Sequence, residues 1–218
     1  MQLWGPKGDG VTNSDIKKQL HHYLRGARET LVWKLDGLSE YDMRRPLTPT
    51  GTNLLGLVKH STATHLGYFG EVFGRSGDTS PGRWRARRGR RSAPSPAAVL
   101  TGDAEPNAEF WATPDESSQD IVTSCRTAWD ISDATISELP LDAVGRVPWW
   151  GDAKVTLHQV LVHVTSETQR HAGHADIVRE LIDGSAGLLN GHDNLHIRDP
   201  ADQQRFREQV EAAAREFK

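Results

Sequence analysis

With 218 residues, 36% hydrophobic and 25% charged, the chain has the length for one hydrophobic core and the composition of a globular protein. A net charge of −3 supplies no overall field to attract nucleic acid or an anionic membrane surface. No apolar run approaches the roughly 20 residues that span a bilayer, the opening MQLWGPKGDG has no signal-peptide core, and a lone cysteine, Cys125, rules out an internal disulfide framework. A single domain over residues 1–218, located in the cytoplasm, is therefore expected.

In chain order, the first periodic segment runs from about Ile16 to Leu38. Ile16, Leu20, Tyr23, Leu24, Ala27, Leu31, Leu35 and Leu38 share a broad helical face, with Lys17, Lys18, Arg25 and Arg28 mostly opposite. The stretch SEYDMRRPLTPTG carries Pro46, Pro49 and Gly51 and reads as a connection. A second helix is predicted from a cap at Thr52 or Asn53 to about Gly74, its core face built on Leu55, Val58, Leu66, Phe69, Val72 and Phe73. On a helical projection His65 falls near the middle of that face. His60 falls at its edge, beside Gly56, Thr64 and Gly67, small residues that leave room for a cleft or a close helix contact.

Between residues 75 and 114 periodicity dissolves into a long irregular loop, with a basic run at Arg83, Arg85, Arg87, Arg88, Arg90 and Arg91. Without interleaved aromatics beyond Trp84 or a nucleic-acid-binding fold, the run reads as a solvated loop. A third helix is predicted from about Ser118 to Leu139, and Cys125 lies on its apolar stripe with Ile121, Val122, Ala128, Trp129 and Ile136, the position of a buried structural thiol. The link that follows contains Trp149 and Trp150, placed to wall a pocket or, the preferred reading, to plug one end of a bundle.

The fourth helix, Thr156 to Gly184, is the centre of the reading. Thr156 and Gln159 have capping-box spacing, Gly184 is a helix stop, and Leu157, Val160, Val164, Val178 and Leu181 form an apolar seam. Through the gap in that seam the same face carries Glu167, His171 and His174. A final amphipathic segment, about 199–217, has Asp199 as cap and Pro200 in its first turn. Phe206, Val210, Ala213 and Phe217 give it a stripe to pack on the bundle or on a second subunit, as in a homodimer. Four long helices with few strand signals predict an all-α bundle with core 12–184 and an added C-terminal helix.

Glu167 and His171, four apart on one helix, can both reach one cation, and a third ligand from His60 or His65 would leave a divalent ion with an open position. Zinc fits this donor set, and iron, nickel or manganese can also be accommodated. A hydrogen-bonded Glu and His network that fixes helix register satisfies the same pattern. His174 is a further candidate, as ligand or as neighbouring base. His163 lies on the flank of the face, and His21, His22 and His158 read as surface or packing residues. The sequence contains no Gly-rich phosphate loop, HExxH pair, GxSxG elbow or cysteine cluster.

The segments WKLDGLSE, RRPLTPTGTNLLGLVKH, GYFGEVFGR, FWATPDESSQDIV, VPWW and ETQRHAGHADIVRELIDG together resemble the DinB-like superfamily, in particular the DinB_2 branch related to mycothiol-dependent maleylpyruvate isomerase and mycothiol S-transferases. The resemblance implies a four-helix bundle with a divalent metal held by His60, Glu167 and His171. It also implies mycothiol as thiol cosubstrate, a small electrophile as second substrate, and S-transfer or isomerisation as the reaction. His174 is assigned as the residue that accepts the thiol proton. The sequence departs from the family at His65, where many relatives carry an acidic residue, and in the Arg-rich stretch. A non-catalytic bundle and a metal-dependent hydrolase are the alternative expectations.

Overall fold

Each long helix begins where a side-chain oxygen takes up a free backbone N–H group, the ordinary requirement of a helix N-terminus. The computed structural model describes residues 12–75, 105–193 and 195–218. Helix α1 (Asn13–Trp33) is capped by Thr12, a short α2 (Glu40–Arg44) by Ser39, and α3 (Leu54–His65) by Asn53. Helix α4 (Ser118–Glu138) is capped by Ser117, α5 (Leu157–Asp183) by Thr156, and α6 (Pro200–Arg215) by Asp199. Gly184 ends α5 with φ 79°, a left-handed conformation that suits glycine. Thr156 accepts from the Gln159 backbone N–H at 3.2 Å, which is the hydroxyl half of the predicted capping box.

Helices α1, α3, α4 and α5 form the bundle, with α1 against α5, α3 against α4, and α3 also against α5. Two apolar clusters fill it. Leu31, Leu54, Leu55, Val58, Ile121, Cys125, Ala172 and Val178 belong to one, and Leu24, Phe69, Ile136, Leu157, Val160, Leu161 and Val164 to the other. In each helix a turn of polar residues separates the two: Arg28 in α1, Ser61 and His65 in α3, Ser132 in α4 and Thr168 in α5, all buried. This polar layer is the level at which the candidate site is built.

Several elements differ from the sequence expectation. The first helix stops at Trp33 and continues only as a turn. Helix α2 lies inside the predicted connection, its five residues too few to register as periodicity. The second predicted helix is α only to His65, and Leu66–Glu71 forms a π-helical turn, whose extra residue per turn resets the facing of Tyr68 and Phe69. The Thr135 hydroxyl donates to the Phe69 carbonyl in that turn at 2.9 Å.

The link before α5 folds into an antiparallel hairpin, β1 (Val144–Val147) and β2 (Ala153–Thr156), around a short 3₁₀ turn at Pro148–Trp150. It docks on the end of the π turn, where the Arg146 N–H donates to the Val72 carbonyl at 3.1 Å. A Cβ at Gly145 would stand 2.5 Å from Val72 Cγ1, so only glycine permits this approach.

Three side chains sit elsewhere than projected. Arg28 is buried, with 1% of its surface exposed, rather than opposite the core, while Leu181 is 62% exposed rather than part of the seam. Helix α6 is exposed along its whole length, Phe206, Val210 and Phe217 included, so the expected packing of this segment on the bundle is not made. Its low hydrophobic content leaves too narrow a stripe to displace bundle surface. Among the described residues no helix is long and apolar enough to cross a membrane. The basic run at 83–91 lies outside the described residues.

Candidate metal centre

The site forms where α3 and α5 face each other at the edge of the polar layer. His60 is held by α3 and is 8% exposed; Glu167 and His171 stand one turn apart on α5 and are half-buried. His60 Nε2 lies 2.9 Å from Glu167 Oε1, and His171 Nε2 lies 2.8 Å from the same oxygen. One ligand atom from each of the three residues therefore lies within 4.8 Å of the other two, the one such group of His, Cys, Asp or Glu among the described residues.

Burial acts to raise the Glu167 pKa, but the hydrogen bonds from His171 and His60, together with their charge, outweigh it and hold the carboxylate well below its usual range. The carboxylate is thus ionised at neutral pH. His60 Nδ1 and His171 Nδ1 are buried without a hydrogen-bond partner. The nearest acid to His60 Nδ1 is Glu109, at 4.0 Å. Convergence of two imidazole nitrogens and one anionic oxygen, with both rings aimed by Nε2, is a donor set that fits a divalent cation with one position left for a further ligand.

His65, the histidine at the middle of the α3 face, does not join this group. It is fully buried, accepts from Arg28 Nε–H at 2.9 Å through Nε2, and donates from Nδ1 to the Ser61 carbonyl at 2.7 Å. Burial, and then the Arg28 charge, push its pKa down to about 3, so it is a neutral member of the core network. The centre of an apolar face points into the core, whereas His60, on its edge, points into the gap between helices.

His174 is exposed at the rim, its ring 5.4 Å from that of His171, and does not lie on the buried seam. The seam continues instead through Thr168, Ala172 and Ala175. Cys125 is buried, and burial pushes its thiol up to about 11, which makes it inert as a nucleophile.

Two groups of residues flank the centre that periodicity did not single out. Phe110, from the irregular 105–113 stretch, stacks on His60 with ring centroids 4.2 Å apart. Asn53 and Gly56 hold this stretch in place: Asn53 donates to the Phe110 carbonyl at 2.9 Å, and a Cβ at Gly56 would stand 1.9 Å from that oxygen. The small residues beside His60 thus serve a close approach of backbone. On the other side, Tyr68 receives the Trp149 indole N–H at 3.1 Å and lies 3.1 Å from His163 Nε2. Trp150 meets His163 edge-on at 4.9 Å. Trp149 also packs on the apolar cluster at this end of the bundle, as a plug would, and His163 belongs to the surroundings of the pair.

Gly56→Ala is expected to push the Phe110 strand of chain off His60, destabilising the protein by about 1–3 kcal/mol, as overpacking does, and weakening zinc binding. Gly173→Ala, where an added Cβ meets nothing within 4 Å, serves as the control. Urea unfolding and zinc titration of both variants check this, and equal zinc affinity in the two would remove Phe110 from the site.

The described residues thus form a four-helix bundle in which two histidines and a glutamate converge from facing helices as a metal-binding group would. Residues 19–184 match the profile of the mycothiol-S-transferase family, part of the DinB-like superfamily. The chain belongs to that family. A solved structure described as the conserved protein of a locus from Enterococcus faecalis shares the fold with a TM-score of 0.56 and 13% identity, over 78% of this chain and 98% of that one. No curated protein matches the sequence.

Proposed function

We propose that the protein is a metal-dependent S-transferase that joins the thiol of mycothiol to a small electrophile in the cytoplasm. The observation that carries the reading is the convergence of His60 Nε2, Glu167 Oε1 and His171 Nε2 on one point at the edge of the bundle. Membership of the mycothiol-S-transferase family supports the choice of thiol. A divalent cation held by these three residues, zinc in our assignment, would lower the pKa of a bound thiol and so supply thiolate at neutral pH.

The chain's own residues do the rest. Glu167 supplies the negative charge that a cation requires, and Phe110 fixes the plane of His60 by stacking. His174, at the open rim beside His171, accepts the proton that the thiol releases. Partial burial, then the charges of His171 and Arg170, lower its pKa, which favours the neutral, proton-accepting form. The sulfur then forms a bond to the electrophilic atom, and the electron pair of the bond that breaks leaves on the displaced group or, in an addition, moves onto the acceptor.

Incubation of the zinc-loaded protein with mycothiol and a panel of electrophiles tests this. Conjugates that retain mycothiol are expected, and products that release it unchanged would indicate isomerisation instead. His174→Ala is expected to keep its zinc and lose on the order of 10²-fold or more in rate, the range for a positioned base. Turnover of substrate with no thiol present would overturn the proposal in favour of metal-assisted hydrolysis.

A further inference from the structure

The Tyr68, Trp149 and His163 cluster is a hydrogen-bonded group beside the centre that the proposed chemistry leaves unused. An indole N–H can only donate, so the Trp149 contact makes the Tyr68 oxygen an acceptor on that side. The Tyr68 hydroxyl proton is then free to donate to His163 Nε2, 3.1 Å away. The direction that gives the Tyr68 hydroxyl proton an acceptor is Trp149 N–H to Tyr68 O, then Tyr68 O–H to His163 Nε2. A histidine that accepts at Nε2 carries its proton at Nδ1. Burial lowers the pKa of His163 and so favours this neutral form.

His163 lies one helical turn before Glu167 on α5, about 6 Å along the same side of the helix. The Glu167 charge acts on both His163 and Tyr68, which places the pair within electrostatic reach of the centre. Nδ1 of His163 has no hydrogen-bond partner among the described residues, and it is not one of the buried unpaired atoms. A neutral imidazole protonated at Nδ1, with that N–H unused at the side of a reaction centre, is a donor for charge that develops during reaction.

We propose that His163 is a catalytic hydrogen-bond donor for electrophiles that accept the thiolate's electron pair onto oxygen, such as conjugated carbonyl compounds, with Tyr68 as the residue that positions it. This rests on the thiol-transfer reading given above. As the S–C bond forms, the C=C π pair shifts through the conjugated system and charge accumulates on the carbonyl oxygen, which His163 Nδ1–H stabilises. The proton given up by the thiol balances the one that finally adds at carbon. Halide displacement from an alkyl halide places no such charge on oxygen and gains little from the donor.

The test compares N-ethylmaleimide with an alkyl bromide as acceptors for mycothiol in the zinc-loaded protein. His163→Leu is expected to lose roughly 100- to 1,000-fold in kcat/KM with the maleimide, of the order set by losing one such donor, and to change little with the bromide. His163→Asn, whose amide nitrogen occupies the place of Nδ1, should recover part of the loss. Tyr68→Phe should reproduce the selective loss in smaller measure. Long-range ¹H–¹⁵N spectra of the wild type should show His163 as the Nδ1–H tautomer, and Tyr68→Phe should mix the tautomers. Equal losses with both acceptors, no rescue by Asn, or an Nε2–H tautomer in the wild type would overturn this role and leave thiol transfer standing. A wild-type protein that conjugates neither acceptor overturns both.

Discussion

His171→Ala should abolish stoichiometric metal binding. The wild-type protein, purified and supplemented with zinc, is expected to carry about one ion per chain, as three converging N and O donors dictate. The variant loses one of two nitrogen donors, and with it the partner that fixes the Glu167 oxygen. Its zinc affinity should fall by more than the roughly 10- to 100-fold that follows loss of an outer-shell contact. Because an ion that binds only the folded state stabilises it, zinc at about 100 times Kd should add about 2.7 kcal/mol to the wild type and little to the variant. Elemental analysis and thermal unfolding with and without zinc measure both effects. A folded wild-type protein that remains metal-free after supplementation would sink the centre, leaving Glu167 and its two histidines as a network that fixes helix register.

Arg28→Met should be among the most destabilising single changes in the bundle. Arg28 donates to His65 and to the Asp133 carboxylate from within the core, and Asp133 also pairs with His21 at 2.8 Å. Removing the arginine leaves His65 Nε2 without its donor and Asp133 without its main counter-charge. Breaking a buried pair costs about 3–5 kcal/mol, and the lower end applies here because the Asp133 side chain is 36% exposed. Urea unfolding reads the loss directly, and an unchanged midpoint would remove the network from the stability of the fold.

The same network sets an acid limit. His65 has a folded pKa of about 3, against an ordinary value of 6.5, so in that interval the unfolded chain binds a proton that the folded one does not. Its contribution is complete above pH 6.5 and is lost as pH falls toward 3. For Asp133, burial works to raise the pKa, but His21 and Arg28 hold it at about 2, below its ordinary 3.8, which adds a further loss between those values. His65→Gln keeps an acceptor for Arg28 and a donor for Ser61 without a titrating group. The decline of its stability between pH 6.5 and 4 should be visibly shallower than that of the wild type.

Much of this was legible in the order of residues. Asn53, Thr156, Gly184 and Asp199 mark helix ends because capping is local chemistry, decided within three or four residues. The β-hairpin was not legible, since its strands have four residues each and are separated by Pro148, Trp149, Trp150 and Gly151. Phe110, although it opens the segment FWATPDESSQDIV, and Glu109 were not marked as neighbours of the site, because they lie in a stretch without periodicity and reach His60 only through the fit of Gly56 against backbone.

For the site, the sequence by itself determined that α5 would turn Glu167 and His171 to the same side of the helix, because residues four apart on a helix share a face whatever surrounds them. It also supplied the motifs that resemble the DinB-like superfamily. Only the tertiary structure decided how histidines were distributed between core and cleft. His65, at the centre of its face, was drawn into a pairing with Arg28 that no pattern within α3 reveals. His60 was brought to Glu167 from 107 residues away. His163, on the flank, was brought within hydrogen-bond distance of a tyrosine turned by a π-helical turn. Contacts within one helix follow from its period, whereas contacts between helices depend on how whole faces pack.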